Sequence, residues 1–303
     1  MTEIAHARTP EQAELRLGMM AGLSAYLLWG FLPIYYTLTD TVPALVVVAH
    51  RVIWSVGFVG LYLALVGRSG EVRAILADRN LLSRLFLSAC VISLNWLTFI
   101  WAIDVGRVLE VSFGYFINPL VSIVIGMVFL GERLNRTQTA AVGLTVFAIA
   151  IQAVSLGALP WVSLALAFSF ATYGYLRKTS PVGATPGLLV EALLVSPFFL
   201  GLLLYLGAVG ENVLPSDDPG LMVALIGTGA VTALPLILFA TGARRLPLSV
   251  MGFMQYLAPS IHFILAISIW NEPLSQAKLA SFVLIWISLA IFSIDMLRRG
   301  RRR

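Results

Sequence analysis

Residues 113–134 read FGYFINPLVSIVIGMVFLGERL and form the stretch that decides the fold. Crossing the roughly 30 Å hydrocarbon layer of a membrane takes about 20 residues of apolar helix, and this run is long enough. Pro119 lies near its middle, and a charged turn, Gly131-Glu132, follows its end. The pattern predicts a membrane-spanning helix in which proline interrupts the backbone hydrogen bonding.

A similar pattern recurs in residues 253–274, FMQYLAPSIHFILAISIWNEPL. A shift of 140 residues makes four positions coincide: Phe113/Phe253, Pro119/Pro259, Glu132/Glu272 and Leu134/Leu274. These identities are few, so position is the stronger evidence. Both runs carry a mid-helix proline and end in a Glu-x-Leu turn. We therefore expect an internal repeat in which the two prolines act as a functional pair of helix breaks.

The composition extends this interpretation to the whole chain. Of the 303 residues, 59% are hydrophobic and 12% are charged, whereas soluble domains average about 45–50% apolar and about 25% charged residues. The apolar runs predict ten membrane spans: 17–38, 43–66, 81–104, 108–130, 136–155, 159–177, 184–207, 220–241, 247–270 and 275–297. The loops between them are too short for a soluble catalytic or DNA-binding domain, so no nucleic-acid partner is expected.

Ten spans divide into two sets of five, and because five is odd the second set enters the membrane from the opposite side. The predicted fold is therefore an all-α integral membrane protein, with ten transmembrane helices arranged as two inverted five-helix repeats around a central cavity. The predicted segments are a cytoplasmic N-terminal tail at 1–16, a first repeat at 17–155, an inverted second repeat at 159–297 and a basic cytoplasmic tail at 298–303.

The distribution of basic residues predicts that both termini are cytoplasmic. With that orientation, 17 of the 20 Lys and Arg lie on the inner side, including Arg177 at the end of the sixth span. Only Arg107 and Lys278 lie on the outer side, and Arg51 lies within a span. This asymmetry fits the positive-inside rule. The C-terminal RRGRRR is expected to anchor on anionic lipid of the inner leaflet.

Polar side chains share one face of the fourth span. Ser112, Tyr115, Asn118 and Ser122 recur every three or four residues, which places them on one side of a helix. The corresponding positions of the second half, and the polar or helix-breaking residues of the two third spans, are Gly252, Gln255, His262, Ser88, Asn95, Thr228, Thr232 and Pro235. Together these faces predict a polar interior that both halves share.

The run VVVAHRVIWSVGF, residues 46–58, places His50 and Arg51 inside the second span. An arginine near the centre of a span costs about 2.5–3.5 kcal/mol on insertion scales, and Arg51 lies roughly 12 Å deep at about 1.5 Å per residue. It therefore needs a counter-charge or a ligand. The candidate carboxylates are Glu110 and Glu191, of which Glu191 is preferred. The alternative is that Arg51 recognises a polar or anionic group of a solute, or exchanges partners as the cavity opens.

Two histidines and several aromatic residues complete the candidates. A shift of 141 residues places His50 on Glu191, and together with a carboxylate His50 is a candidate for proton coupling. A satisfied core histidine is the alternative, and His262 is a weaker candidate for the same role. The rings available for stacking on a planar solute are Trp29, Trp54, Trp96, Trp101, Tyr173 and Tyr256. For each of them, packing or anchoring at the membrane interface is the alternative.

The chain resembles the EamA-type permeases of the drug/metabolite transporter superfamily and, within them, the RarD-like members. The resemblance covers nearly the whole chain and rests on AYLLWGFLPIYY (25–36), HRVIWS (50–55), NWLTFIWA (95–102), SFGYFINPLVSIVIGMVFLGERL (112–134), LAFSFATYGYLRK (166–178) and FMQYLAPS (253–260). It implies ten helices, with helices one to four and six to nine lining a central cavity, and movement of small organic molecules by alternating access. RarD-like proteins are associated with chloramphenicol sensitivity.

The predicted function is a permease of the cytoplasmic membrane that moves a small organic solute or drug-like metabolite. A proton gradient is the expected drive if transport is active, and no cofactor or metal is expected. Direct use of ATP is not expected, because the chain has no Walker-type glycine loop. The candidate binding or gating residues are His50, Arg51, Trp54, Asn95, Tyr115, Asn118, Glu191, Gln255 and His262, and the helix-breaking residues are Pro119 and Pro259.

Two other classes stay open. An integral membrane enzyme acting on lipid or another amphipathic substrate needs a clustered catalytic set, and none of the three histidines has a second His or a Cys at ligand spacing. A receptor or channel predicts no saturable solute flux. The sequence does not decide between a monomer and a homodimer. Gly18 and Gly22 have the spacing of a helix-packing motif, which is expected to act within the bundle rather than at a dimer face.

Overall fold

A computed structural model describes residues 10–105, 107–156, 161–211, 213–214, 217–269 and 276–300. These residues form twelve α-helices: α1 (Pro10–Tyr36), α2 (Ala44–Leu65), α3 (Ser69–Ala77), α4 (Arg79–Asp104), α5 (Val108–Leu130), α6 (Arg136–Leu156), α7 (Trp161–Thr179), α8 (Ala184–Ala208), α9 (Pro219–Ala243), α10 (Leu248–Gln255), α11 (Leu257–Ser268) and α12 (Gln276–Gly300). The described part of the chain contains no β-strand. The all-α prediction is confirmed.

Eight helical stretches of the described chain are long and apolar enough to cross a membrane, judged by length and composition alone. The stretch in the second half that contains α10 and α11 counts as one of them. Helices α6 and α7 are not among the eight. Helix α7 carries Ser163, Ser169, Arg177 and Lys178, and it packs between α5 and α4. A helix surrounded by protein can carry more polar residues than one that faces lipid.

The boundaries depart from the predicted ones at both ends of the chain. Helix α1 already begins at Pro10, so the second half of the predicted tail at 1–16 is helical. Helix α12 runs to Gly300, which places part of the predicted tail at 298–303 in the helix. Residues 1–9 and 301–303 lie outside the described residues, as does Glu272.

The two proline-containing spans differ in their backbone. Helix α5 continues through Pro119, whereas its counterpart is divided at Tyr256 into α10 and α11. Pro259 lies in the first turn of α11, where a helix needs no backbone N–H donor and tolerates proline. The hydroxyl of Tyr256 donates to the carbonyl oxygen of Phe116 at 3.1 Å, close to the proline of the other span.

Helix packing places α6 and α12 against each other, away from the remaining bundle. Helix α5 packs on α7 and α10, α2 packs on α8 and α9, and α1 packs on α9, α10 and α11. Small residues allow the closest of these contacts. A Cβ atom on Gly242 would lie 3.1 Å from the backbone nitrogen of Gly22 and 3.2 Å from the carbonyl oxygen of Gly18. The Gly18 and Gly22 face is therefore occupied within the chain, as expected.

Candidate functional site

The polar face of α5 is open at one point and covered further along the helix. Tyr115 is 40% exposed, whereas Asn118 and Ser122, on the same face, are 5% and 4% exposed. Helix α10 provides the cover. A Cβ atom on Gly252 would lie only 2.7 Å from the carbonyl oxygen of Pro119, so glycine is required for this approach. The interior of the bundle therefore opens at Tyr115 and closes about one turn further along α5.

A carboxylate from the α5–α6 turn joins the end of α5 to the beginning of α10. Glu132 accepts hydrogen bonds from the backbone nitrogens of Leu248 at 2.6 Å and Ser249 at 2.9 Å. Gly131, in the left-handed conformation with φ of 65°, ends α5 and turns the chain. A negative charge that accepts from the first N–H groups of a helix is favoured by both hydrogen bonding and the helix dipole. We call this end of the bundle the closed end.

Three more polar contacts join helices at the closed end. The Lys178 ammonium donates to the carbonyl oxygens of Ala243, at 3.1 Å, and Leu246. The Arg244 guanidinium donates to the carbonyl oxygen of Val182. Arg245 forms an ion pair with Glu14 at 2.7 Å. These contacts connect α1, α7 and the α7–α8 turn to the α9–α10 turn.

At the opposite end, which we call the open end, α11 diverges from α5. Within the described residues α11 packs along α1 rather than α5. His262 shares a hydrogen bond with the carbonyl oxygen of Trp29, with 3.1 Å between Nε2 and the oxygen. Its ring lies 6.3 Å from that of Tyr115, measured between centroids. The break at Tyr256 therefore separates a half-helix that closes on α5 from one that leaves it.

Arg51 lies among aromatic rings near the open end. Its Nε donates to the hydroxyl of Thr232 at 3.0 Å. Its guanidinium carbon lies 5.6 Å from the ring centroid of Tyr36 and 5.5 Å from that of Trp96. The side chain is half-buried. Among the described residues, no carboxylate forms an ion pair with Arg51.

The preference for Glu191 as the partner of Arg51 is wrong. Glu191 forms its ion pair with Arg177, at 3.3 Å, and both side chains are buried. The other candidate, Glu110, pairs with Arg107 at 3.3 Å on the more exposed surface. Arg177 competes successfully because it approaches Glu191 from the adjacent helix α7, only a short turn away in the chain.

Arg177 itself is fully buried, although the sequence assigned it to the basic residues of an inner loop. Its Nη2 donates to the carbonyl oxygens of Gly183 at 3.2 Å and Ala184 at 3.3 Å. Gly187 leaves space for the guanidinium, since a Cβ atom there would lie 2.5 Å from Nη1. A buried arginine needs such partners because desolvation of an unpaired charge is costly.

Glu191 is also held by two hydroxyl groups and faces a small cavity. Ser88 donates to Oε1 at 2.6 Å, and Tyr173 donates to Oε2 at 3.4 Å. The cavity has room for about one water molecule, and its lining includes Trp96 and Thr232 as well as Glu191. Trp96 and Thr232 are also the contacts of Arg51, so the cavity lies between the Arg51 site and the Glu191–Arg177 pair.

His50 and Trp54 form a local structural unit. The indole nitrogen of Trp54 donates to Nδ1 of His50 at 3.1 Å, and Nε2 of His50 lies 2.8 Å from the carbonyl oxygen of Val213. Nδ1 must accept and Nε2 must donate, which requires the neutral tautomer with its proton on Nε2. Protonating Nδ1 would remove its bond from Trp54. This arrangement favours the satisfied core histidine over a proton carrier.

The remaining candidates lie inside the bundle. The amide of Asn95 donates to the carbonyl oxygen of Leu166 at 2.9 Å and to the hydroxyl of Ser169 at 2.8 Å, which ties α4 to α7. Gln255 is buried at the end of α10. Among the aromatic candidates, Trp101 packs on the Trp161 ring at 5.3 Å, and Tyr173, Tyr256 and Trp29 pack within the bundle. The sequence did not single out Tyr36 or the capping role of Glu132.

Long apolar helices around buried polar clusters, with an opening at one end only, define a multi-pass helical membrane protein with a polar interior. Known proteins give this class a family. The chain belongs to the EamA-like transporter family, whose profile matches residues 16–154, and it is a RarD-like member of that family. Like its relatives, it is a membrane transporter.

Two relatives and one structure illustrate the similarity. Protein RarD of Streptomyces exfoliatus is 42% identical over 95% of this chain and 92% of its own length. An uncharacterized transporter of Pseudomonas aeruginosa is 40% identical over 96% of this chain and 97% of its own. A solved crystal structure of another protein superposes with a TM-score of 0.70 over 90% of this chain and 96% of that chain, at 17% sequence identity. The last comparison bears on the fold alone.

Proposed function

We propose that this transporter moves a small organic solute across the cytoplasmic membrane by alternating access. In this proposal the chain crosses the membrane ten times, with α6 and α7 as the fifth and sixth spans. Residues 17–155 and 159–297 are inverted repeats, and both termini are cytoplasmic. The closed end then faces the cytoplasm, and the open end faces outward.

The helix contacts support an inverted repeat. Under exchange of the two halves, the α5–α7 contact corresponds to the contact of α10 and α11 with α1, and the α4–α7 contact corresponds to α9–α1. The contacts α2–α8, α5–α10 and α6–α12 fall near the proposed two-fold axis or exchange into related pairs. Arg51 and Glu191 are each the eighth residue of their helix, α2 and α8. The proposed axis would therefore relate them, with opposite charge.

One observation carries the alternating-access proposal: the inward face of α5 is exposed at Tyr115 and buried at Asn118 and Ser122. A permanently closed bundle would cover the whole face, and a channel would expose all of it. The cover consists of α10, which is separated from α11 by the break at Tyr256. Release of α10 from α5 would open the closed end without requiring α11 to move along with it.

Any proton coupling is assigned to Glu191 in this proposal, because His50 is committed to two hydrogen bonds in its neutral form. Glu191 is buried, faces the cavity and has a cationic partner whose contact changes if α7 and α8 separate. Glu191→Gln preserves the shape and removes the charge. We expect this variant to transport independently of a proton gradient, whereas loss of flux at every pH would assign Glu191 a structural role instead.

The test of transport is a comparison of metabolite uptake and efflux in cells with and without the protein. Solutes that differ are then measured in proteoliposomes. Saturable flux of at least one solute supports the proposal. The absence of any flux, in protein that is correctly inserted, would favour a receptor.

The test of alternating access uses single cysteines in a Cys90→Ser background. A membrane-impermeant maleimide should label Tyr115→Cys from outside, whereas Ser122→Cys should be labelled only from the cytoplasmic side as the closed end opens. Labelling of both positions from one side at all times would indicate a channel. Failure of Ser122→Cys to react from either side during flux would contradict the proposed movement of α10.

A further inference from the structure

We propose that the solute is an organic anion with a flat, apolar body, whose negative group binds to Arg51. This inference rests on the proposed transport function and specifies its substrate class. It follows from the unmatched charge of Arg51, from the chemistry of the side chains around it and from the pairing of the neighbouring carboxylates.

The first step concerns the donors that Arg51 leaves unused. A guanidinium carries five N–H donors, and the protein uses only the one on Nε, through Thr232. No partner within the described residues takes the four donors on Nη1 and Nη2. Neither nitrogen belongs to the buried atoms that lack a partner, so both are reached by solvent. Two parallel N–H groups are the arrangement that binds a carboxylate in bidentate fashion.

The second step concerns how Arg51 is held without a carboxylate. The rings of Tyr36 and Trp96 lie within 5.6 Å of the guanidinium carbon, a distance at which aromatic faces attract a cation. They stabilise the charge without neutralising it. The hydroxyl of Tyr36 is buried and has no partner within the described chain. A bound anion would provide both the missing charge and an acceptor close to that hydroxyl.

The third step concerns the sign of the charge at the site. Glu191 lies beyond the small cavity and is paired with Arg177, and Glu110 is paired with Arg107. These pairs contribute little net charge, so Arg51 decides the sign. A cation at this site would meet like charge in a medium of reduced dielectric constant, which raises its energy. An anion would gain from the same effect.

The fourth step concerns the body of the solute. The side chains along the opening beyond Arg51 are mainly rings: Tyr36, Trp96, Phe99, Tyr115 and His262. Phe99 and Tyr115 lie 6.4 Å apart between ring centroids, and Tyr115 is 40% exposed. Aromatic rings bury large apolar areas and prefer to contact other rings. The lining therefore suits a planar apolar group attached to the anion.

Benzoate, benzamide and benzamidine provide a direct test, because they share a phenyl ring and a planar three-atom group but differ in charge. Equilibrium dialysis with radiolabelled forms measures their binding to the purified full-length protein in detergent. We expect benzoate to bind at least tenfold more tightly than benzamide and benzamidine. We also expect Arg51→Gln to remove this preference and Arg51→Lys, which keeps the charge but loses the fork, to retain part of it.

Arg107→Gln is the matched control. Arg107 also lies near two indole rings, at 5.6 Å from Trp101 and 5.7 Å from Trp161, but it is paired with Glu110. Its variant should retain the preference for benzoate. Size-exclusion chromatography establishes folding. If Arg51→Gln does not fold, the Arg51→Lys variant decides: unchanged benzoate affinity in it would overturn the bidentate contact.

Three outcomes would overturn the inference. Equal binding of the three compounds by the unmodified protein would remove the anion preference, even if flux experiments identified a neutral or cationic solute. Retention of the preference in Arg51→Gln would assign it to another group. Equal competition by chloride or inorganic phosphate would identify an inorganic anion site. Conversely, Arg51-dependent benzoate binding without any solute flux would uphold the anion site while the transport proposal failed.

Discussion

The Glu132 carboxylate lies 2.6 Å from the backbone nitrogen of Leu248 and so caps a helix of the opposite half of the chain. The two residues are 116 positions apart in sequence. Because a half-helix that ends at Tyr256 depends on this cap, the contact joins the closing of the bundle to a single side chain. The space for the carboxylate is left by Gly126, where a Cβ atom would lie 2.7 Å from Oε2.

We expect Glu132→Gln to favour opening of the closed end. Glutamine has one acceptor oxygen in place of two and lacks the charge that the helix dipole favours, so the contact should weaken by about 1 kcal/mol. Cytoplasmic labelling of Ser122→Cys should become roughly fivefold faster. Glu14→Gln is the control, because Glu14 is 62% exposed in its ion pair with Arg245 and such pairs contribute little. An equal acceleration in both variants would contradict a specific role of the cap.

We expect Gly252→Ala to separate α10 from α5. The added methyl group would lie 2.7 Å from the carbonyl oxygen of Pro119, and overpacking of this kind costs about 1–3 kcal/mol. Thermal unfolding in detergent should show the loss, and labelling of Ser122→Cys should increase. Gly143→Ala in α6 is the control, since nothing lies within 4 Å of its added methyl group. Unchanged stability in Gly252→Ala would show that the two helices are not in close contact.

We expect Arg177→Met to be strongly destabilising. It would leave Glu191 charged and buried without its cation, which costs about 3–5 kcal/mol. Adding Glu191→Gln should recover much of the loss, because the uncompensated charge is then removed. Chemical unfolding of the single and double variants measures the coupling. Arg68→Gln, which breaks an exposed pair with Glu71, should cost less than about 1 kcal/mol.

The two prolines should no longer be expected to have equal effects. Pro259→Ala should allow a continuous helix across Tyr256 and slow the movement of α10 relative to α11, whereas Pro119→Ala alters a helix that is already continuous. Rates of labelling at Ser122→Cys compare the two variants in the Cys90→Ser background. Equal slowing by both would support the paired role that the sequence suggested.

The sequence predicted most of the helices because hydrophobic length is a local property. It also predicted which face of α5 is polar, since that depends only on spacing along one helix. It did not predict that Arg177 pairs with Glu191, because the count of charged residues says nothing about how a helix end is rotated. The partners of Glu132 and His50 are backbone groups at Leu248 and Val213, which leave no mark in residue identities.

The covered length of α5 has an electrical consequence. From Phe116 to Glu132 the helix is covered by α10 over about 24 Å at 1.5 Å per residue, whereas Arg51 lies on the solvent-connected side of this seal. The transmembrane voltage should therefore fall mainly across the seal, so that a bound monoanion stays near the outer potential. A membrane voltage of 100 mV acts on one elementary charge with about 2.3 kcal/mol. That energy should bias the conformational step, and with it the turnover rate, rather than the affinity for the solute.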